Sequence, residues 1–186
     1  MVTGGDEWEP VGDFGVGFWL VLAAGALGML LTGSYRRSLD DKLRFAIPKQ
    51  LREQVGFPLQ TSLFIGPGTD KSLVVYPLET MEKLGLAMDK LNPAARDART
   101  FTRLFYSQAQ PADVDRQGRL RVPNELATLA EITSEVVVLG VRDHIELWQP
   151  AQWDQFLASN RTVYDELAEA VLERCSASTA TPVNMP

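Results

Sequence analysis

The sequence predicts a β-rich α+β fold made of two similar halves closed about a pseudo-twofold axis, and three observations carry the prediction. The first is a repeated string: SLDDKLRFAIPKQLRE at residues 38–53 has a near twin, VDRQGRLRVPNELAT, at residues 114–128. Asp40 and Asp115, Arg44 and Arg119, Ile47 and Val122, Pro48 and Pro123, and Leu51 and Leu126 all stand 75 positions apart. The second is an echo further along, where Tyr76, Met81 and Leu84 are answered 72 positions later by Trp148, Trp153 and Phe156. The third is the length of the repeat. About 75 residues exceeds the roughly 20–50 of solenoid arrays, so the expected product is a closed barrel, not a stack.

The elements follow in order. Residues 29–40 read as a strand, residues 40–44 as a tight turn in which Asp binds its own backbone, and residues 45–48 as a short strand. Pro48 suits the first position of a helix over residues 49–54, and Gly56 stops it. Residues 58–65 and 72–76 are apolar runs around GPGTD at 66–70, the pattern of a hairpin. From 78 to 91 the spacing of Met81, Leu84, Met88 and Leu91 makes one apolar helix face, and Asn92-Pro93 ends it. A second helix from Pro93 carries Phe101, Leu104 and Phe105 on one side and Arg96, Arg99 and Arg103 along another. The second half repeats the plan: turn at 115–119, strand at 120–122, helix at 123–130, strands at 135–141 and 144–148, and a helix opening near Pro150. The units are therefore a first half at 29–91, a connecting helical segment at 92–109, a second half at 110–158, a C-terminal helix at about 159–175 and a disordered tail at 176–186.

The totals fit one domain or two fused small halves: 186 residues, 45% apolar and 23% charged. Cys175 is the single cysteine and His144 the single histidine, which excludes an internal disulfide and a zinc site of several Cys or His ligands, and suits a reducing cytoplasm. Residues 14–31 form an uncharged apolar run at the threshold of a membrane span. A cleaved signal is disfavoured, because residues 1–28 hold Asp6, Glu7, Glu9 and Asp13 and no Lys or Arg. A membrane anchor would keep Arg36 and Arg37 inside. If Met29 opens the first strand, however, only 14–28 remain, which is short for a span. The expectation is that translation starts at Met29 and that residues 1–28 are a start-site artefact or disordered.

Charge is polarised along the chain. The net charge is −6, yet residues 33–54 carry Arg36, Arg37, Lys42, Arg44, Lys49 and Arg52 against Asp40, Asp41 and Glu53, a balance of +3. Residues 142–174 balance at −4. A local basic cluster on an acidic chain is what a polyanion-binding surface shows, since phosphate contacts come from clustered Lys and Arg. Set against it is a plainer reading, in which the Asp-to-Arg string only closes turns and a duplicated fold repeats its turns. No glycine-rich phosphate loop, no G-x-S-x-G and no cluster of histidines is present. Asp40 and Asp41 are adjacent in a turn and seldom converge on one atom, Cys175 is an ordinary thiol, and His144 heads a strand at a surface or edge. The chain is not expected to be an enzyme, and no metal, cofactor or small-molecule substrate is expected.

The strings YRRSLDDKLRFAIP (35–48), VVYPLE (74–79), VDRQGR (114–119) and EVVVLGVRDHIELW (135–148) resemble the MraZ family, bacterial transcriptional regulators with two tandem SpoVT–AbrB-type halves. The similarity runs from Met29 to about Phe156. The resemblance implies a double-split β-barrel of tandem swapped-hairpin halves, ring-like homo-oligomers, and binding of double-stranded DNA at guanine-rich direct repeats upstream of the family's own division and cell wall gene cluster. It further implies a repressor in the cytoplasm, associated with the nucleoid and not with a membrane. Asp40 and Arg44 match the first D-x-x-x-R motif, Lys42 its basic middle position, and Asp115 and Arg119 the second; Arg36 and Arg37 flank the first on the presumed DNA-facing strand. Arg44 and Lys42 are then the main contacts, an arginine fork suiting the guanine edge and a lysine suiting phosphate, while Asp40, Asp115 and Arg119 are expected to be structural and the second turn to be mostly architecture. One departure stands out: Leu43 occupies the position where the family usually has glycine, which Gly118 keeps in the second copy; if that position needs a positive φ, leucine is costly there and the turn is expected to be reshaped. The alternative function is an oligomeric scaffold whose acidic C-terminal helix binds a partner and whose repeated turns only build the barrel.

Overall fold

The computed structural model describes residues 30–55, 62–91 and 95–179. The apolar run at 14–28, the Gly56 stop, the Asn92-Pro93 break and residues 180–186 lie outside the described residues. In chain order the elements are β1 (Ser34–Ser38), β2 (Arg44–Ala46), α1 (Lys49–Gln54), β3 (Leu63–Pro67), β4 (Leu73–Pro77), α2 (Leu78–Met88), α3 (Arg96–Gln108), β5 (Gln110–Pro111), β6 (Asp113–Val114), β7 (Arg119–Arg121), α4 (Asn124–Leu129), β8 (Glu135–Val141), β9 (His144–Trp148), α5 (Pro150–Asn160), a 3-10 turn (Arg161–Val163) and α6 (Tyr164–Thr179). This is a mixed α+β fold with antiparallel sheets and short helices.

The strands form a six-stranded sheet in the order β1-β8-β9-β4-β3-β5 and a three-stranded sheet in the order β2-β7-β6. Exchanging the halves turns the first order into its own reverse, because β1 answers β5, β8 answers β3 and β9 answers β4. Two seams lie on the exchange axis. Val74 of β4 pairs with Glu146 of β9, 72 positions on, and Phe45 of β2 pairs with Leu120 of β7, 75 positions on. A residue that pairs with its own repeat mate sits on the axis, so the offsets read from the sequence reappear as strand registers. The hydrogen bonding joins the described strands into two separate sheets instead of one closed ring, since β2, β7 and β6 pair only among themselves.

The local differences have physical causes. The strand expected from residue 29 starts at Ser34, because Gly33 turns the chain at φ +99°; before it Leu31 only bridges to Arg142. Gly140 makes that bridge possible, since a Cβ there would lie 2.5 Å from the Thr32 nitrogen and 2.7 Å from the Leu31 carbonyl carbon. Pro48 and Pro123 stand just before their helices, extended at ψ 135° and 140°, and their carbonyls accept the first helical bonds from Arg52 N and Ala127 N at 2.9 Å each. A 3-10 turn separates α5 from α6, and α6 continues to Thr179, into the stretch expected to be disordered.

The core is shared between the halves. Phe45, Leu51, Ile65, Leu73, Leu120, Val122, Leu126, Val136 and Leu147 are all buried in one cluster, built from the inward positions of both sheets and from α1 and α4. Two smaller clusters flank it. Met81, Val74 and Phe105 hold α2 and α3 on the first half, and Trp148, Val137 and Leu139 hold α5 on the second. In the second, Trp148, Trp153 and Phe156 contact one another with ring centroids 5.2–5.6 Å apart, the positions that answer Tyr76, Met81 and Leu84.

Candidate nucleic-acid interface

Two equivalent turns meet at the β2–β7 seam. In the first, Asp40 Oδ1 accepts from Lys42 N at 3.0 Å and Arg44 N at 2.9 Å, and Oδ2 accepts from Arg44 Nε at 2.8 Å. In the second, Asp115 accepts from Gln117 N at 2.9 Å, Arg119 N at 3.0 Å and Arg119 Nε at 2.7 Å. The backbone closes each turn alike, Asp40 N to Arg44 O and Asp115 N to Arg119 O, both at 2.9 Å. This is why the motif needs its spacing: the carboxylate must reach the amides two and four residues on, and the arginine must return over the turn to meet it. The turns are also interlocked. Ile47 N donates to Gly118 O and Val122 N to Leu43 O, at 3.0 and 2.9 Å, so each turn is tied to a strand of the other half. Arg119 Nη1 approaches Asp40 Oδ2 at 4.0 Å, which joins the two pairs into one cluster.

Leu43 takes the left-handed conformation, φ +55°, where Gly118 has φ +75°. The turn is not reshaped to suit leucine; leucine accepts a backbone cost of roughly 1–2 kcal/mol. The halves differ in what surrounds this position. Arg52 Nη1 donates to Gln117 O at 3.1 Å, and a Cβ on Gly118 would meet that Nη1 at 2.4 Å. Exchanging the halves carries Gly118 and Arg52 onto Leu43 and Ala127, and Leu43 is half-buried against the core cluster that contains Ala127. Large and small residues are thus traded between the turn and the helix above it. Gly118→Leu is expected to lose about 2–5 kcal/mol from backbone strain and overpacking together. Gly118→Leu with Arg52→Ala should lose only the strain, leaving about 1–2 kcal/mol; urea unfolding of the unaltered chain, both single variants and the double variant measures the coupling.

The β2–β7 ribbon has two faces, because directly paired residues share a side and successive residues alternate. Phe45 and Leu120 face inward. Arg44 pairs with Arg121 and Ala46 with Arg119, so Arg44, Arg119 and Arg121 stand on the outer face, with Asp113 of β6 opposite Arg121. Lys42 and Arg116 sit at the exposed turn tips, and neither they nor the exposed Arg121 has a side-chain partner among the described residues. With Arg52, the surface holds six cations against Asp40, Asp41, Asp113 and Asp115, a balance of +2 on a chain of −6.

The ion pairs set the electrostatics. The Arg44 side-chain hydrogen bond, with help from two backbone amides, holds the Asp40 carboxyl at about 2, and Arg44 is raised by the same bond. Asp115 is lowered first by its backbone bond from Arg119 N and then by the Arg119 side chain, against some burial. A carboxylate depressed on folding stabilises above its unfolded pKa, near 3.9, and loses that contribution as pH falls through the folded value. The Lys42 and Arg44 amide resonances should therefore titrate with a midpoint near 2, and should lose that step in Asp40→Asn.

Of the residues singled out in the sequence, Asp40, Lys42, Arg44, Asp115 and Arg119 come together here. Arg36 does not join them: it pairs with Asp154 of α5. Arg37 donates to the Arg36 carbonyl at 2.8 Å and lies over the Tyr35 ring. Arg116 and Arg121 were not singled out, although Arg121 stands one residue before Val122 in the repeated string. His144, expected at a surface or edge, is largely enclosed. Its Nδ1 is 2.9 Å from Asp143 Oδ1, its Nε2 is 3.4 Å from Glu146 Oε1, and the Tyr76 ring lies tilted against it with centroids 5.1 Å apart. Burial pushes its pKa down, but the two carboxylates outweigh burial and the net shift is upward. Among the described residues no helix is long and apolar enough to cross a membrane.

A family model described as "MraZ protein, putative antitoxin-like" matches residues 105–175, which take in the second turn, α5 and most of α6. A "Transcriptional regulator MraZ" of Alkaliphilus metalliredigens is 36% identical over 144 residues, 77% of this chain and 98% of that protein. Proteins of the same name from Halothermothrix orenii and Moorella thermoacetica are 34% and 33% identical, over 76% and 77% of this chain and 96% and 98% of their own lengths. With relatives at this identity matched almost end to end, the chain belongs to the MraZ family.

Proposed function

We propose that this protein is a sequence-specific DNA-binding transcriptional regulator, a repressor that acts on guanine-rich direct repeats upstream of its own division and cell wall gene cluster. The observation that carries the reading is the meeting of both D-x-x-x-R turns on one basic outer face of the β2–β7 ribbon. A two-stranded ribbon fits the major groove, where guanine offers O6 and N7 to an arginine fork. Asp40 holds two Arg44 nitrogens, Nε and Nη2, at 2.8 Å each. The side chain is thereby fixed in one rotamer with Nη1 and the outer N–H of Nη2 left as a fork for a base, so less freedom is lost on binding. Asp115 holds the Arg119 side chain through Nε alone, at 2.7 Å. Lys42 and Arg116 at the tips meet phosphate, and Arg121 extends the base-reading row. Arg36 and Arg37 act as flanking contacts, with Arg36 first releasing Asp154.

A single patch of +2 is a weak binder. Direct repeats call for identical subunits in head-to-tail order, the geometry that closes into rings, and each further subunit adds its contact at high effective concentration. The double-split barrel belongs to the same reading, with the ribbon and the six-stranded sheet as its two layers, and so does a cytoplasmic, nucleoid-associated protein. Methylation protection on the DNA upstream of the protein's own gene tests it. Guanine N7 atoms protected at a regular repeat spacing are expected. Retardation without protected guanines would leave a non-specific binder, and no binding at low salt would favour the scaffold reading.

A further inference from the structure

The C-terminal helix α6 carries an uncovered stripe. Tyr164, Leu167, Val171 and Leu172 are each more than half exposed and recur at helical spacing on one side, while Asp165, Glu166, Glu169 and Glu173 occupy the other. Its packing within the chain is chiefly against the 3-10 turn. A helix of 16 residues is near the length at which isolated helices are marginal in water, so it needs a surface to lie on. A second uncovered apolar pair is on α3, where Phe101 and Leu104 are more than half exposed beside Arg96, Arg99 and Arg103. The two helices carry opposite charge: α6 balances at −3 and α3 at +2. Pairing α6 with another α6 would set four carboxylates against four. Pairing it with α3 joins apolar to apolar and acid to base.

We propose that α6 of one copy of this chain docks on α3 of the next. The contact is heterologous, using different patches on the two subunits, and therefore propagates head to tail. The inference rests on the ring reading above and names the surfaces that would build the ring.

Exchanging charge tests it, with the full chain throughout. One variant carries Glu166→Arg and Glu169→Arg on α6, the other Arg96→Glu and Arg103→Glu on α3; all four positions are exposed, so the fold should survive, as far-UV circular dichroism checks. By light scattering after gel filtration, the unaltered chain is expected at a multiple of 20.6 kDa. Each variant alone should fall to the single-subunit mass. Mixing them should restore the multimer, because in an alternating ring both kinds of contact regain opposite charge. A multimeric chain whose variants stay multimeric alone, or whose mixture fails to reassemble, overturns this interface and leaves the ring standing. A single-subunit mass for the unaltered chain overturns the ring itself.

Discussion

Exchanging Arg44 and Arg119 together for alanine is expected to abolish specific binding to the upstream repeats while leaving the protein folded. The two consequences differ in size for a physical reason. Each arginine is about a quarter to a third exposed and pairs with an aspartate of similar exposure. Surface pairs of this kind contribute about 0–1 kcal/mol to stability, and each aspartate keeps its two backbone amides. A good arginine-to-guanine contact discriminates by roughly 1–3 kcal/mol, and several subunits on successive repeats multiply the effect. A lysine version separates the parts of the interaction. Arg44→Lys with Arg119→Lys keeps the charge and removes the fork, so non-specific affinity should persist while preference for the repeats falls about tenfold or more. Unchanged repeat affinity in the double alanine variant would remove these side chains from the interface.

Phe45→Ala should be the most damaging single substitution in the core. Phe45 is 2% exposed and faces Leu120, 1% exposed, across the exchange axis, so both halves and both turns meet behind it. Truncating a buried phenylalanine costs roughly 3–5 kcal/mol, a large part of the 5–15 kcal/mol that stabilises an ordinary domain. Leu120→Ala should cost about 2–5 kcal/mol. Because the two side chains line one space, the double variant should differ from the sum by roughly 0.5–3 kcal/mol. Denaturant midpoints measure all three. Independent losses would mean that the halves pack separately and that the seam does not unite them.

Local chemistry made much of the fold legible. The helix at 49–54, the turns at 40–44 and 115–119 and the strands at 135–141 and 144–148 are set by neighbours in sequence, and the repeat offset carries the symmetry. The parts that were not legible depend on contacts between remote segments. Nothing near Arg121 shows that it stands beside Arg44; that follows only from the register of β2 on β7. The enclosure of His144 comes from Tyr76 and Glu146 of the axial β4–β9 seam. Arg36 looked like part of the basic cluster, but Asp154 of α5, 118 residues away, takes its guanidinium. Leu43 falls between the two cases. Alignment with Gly118 marked its positive φ, while the compensating small Ala127 appears only when the halves are superimposed.

On the proposed function, both turns present one DNA-reading surface. Fluorescence anisotropy with upstream repeat DNA, titrated over salt for the unaltered chain and for Arg116→Ala and Lys42→Ala, tests it most directly. Each variant should bind more weakly across all sequences and show a log–log salt slope shallower by about 1 for each phosphate that a bound subunit no longer neutralises. A Lys42→Ala effect with no Arg116→Ala effect would contradict the account, since the second turn would then be architecture alone.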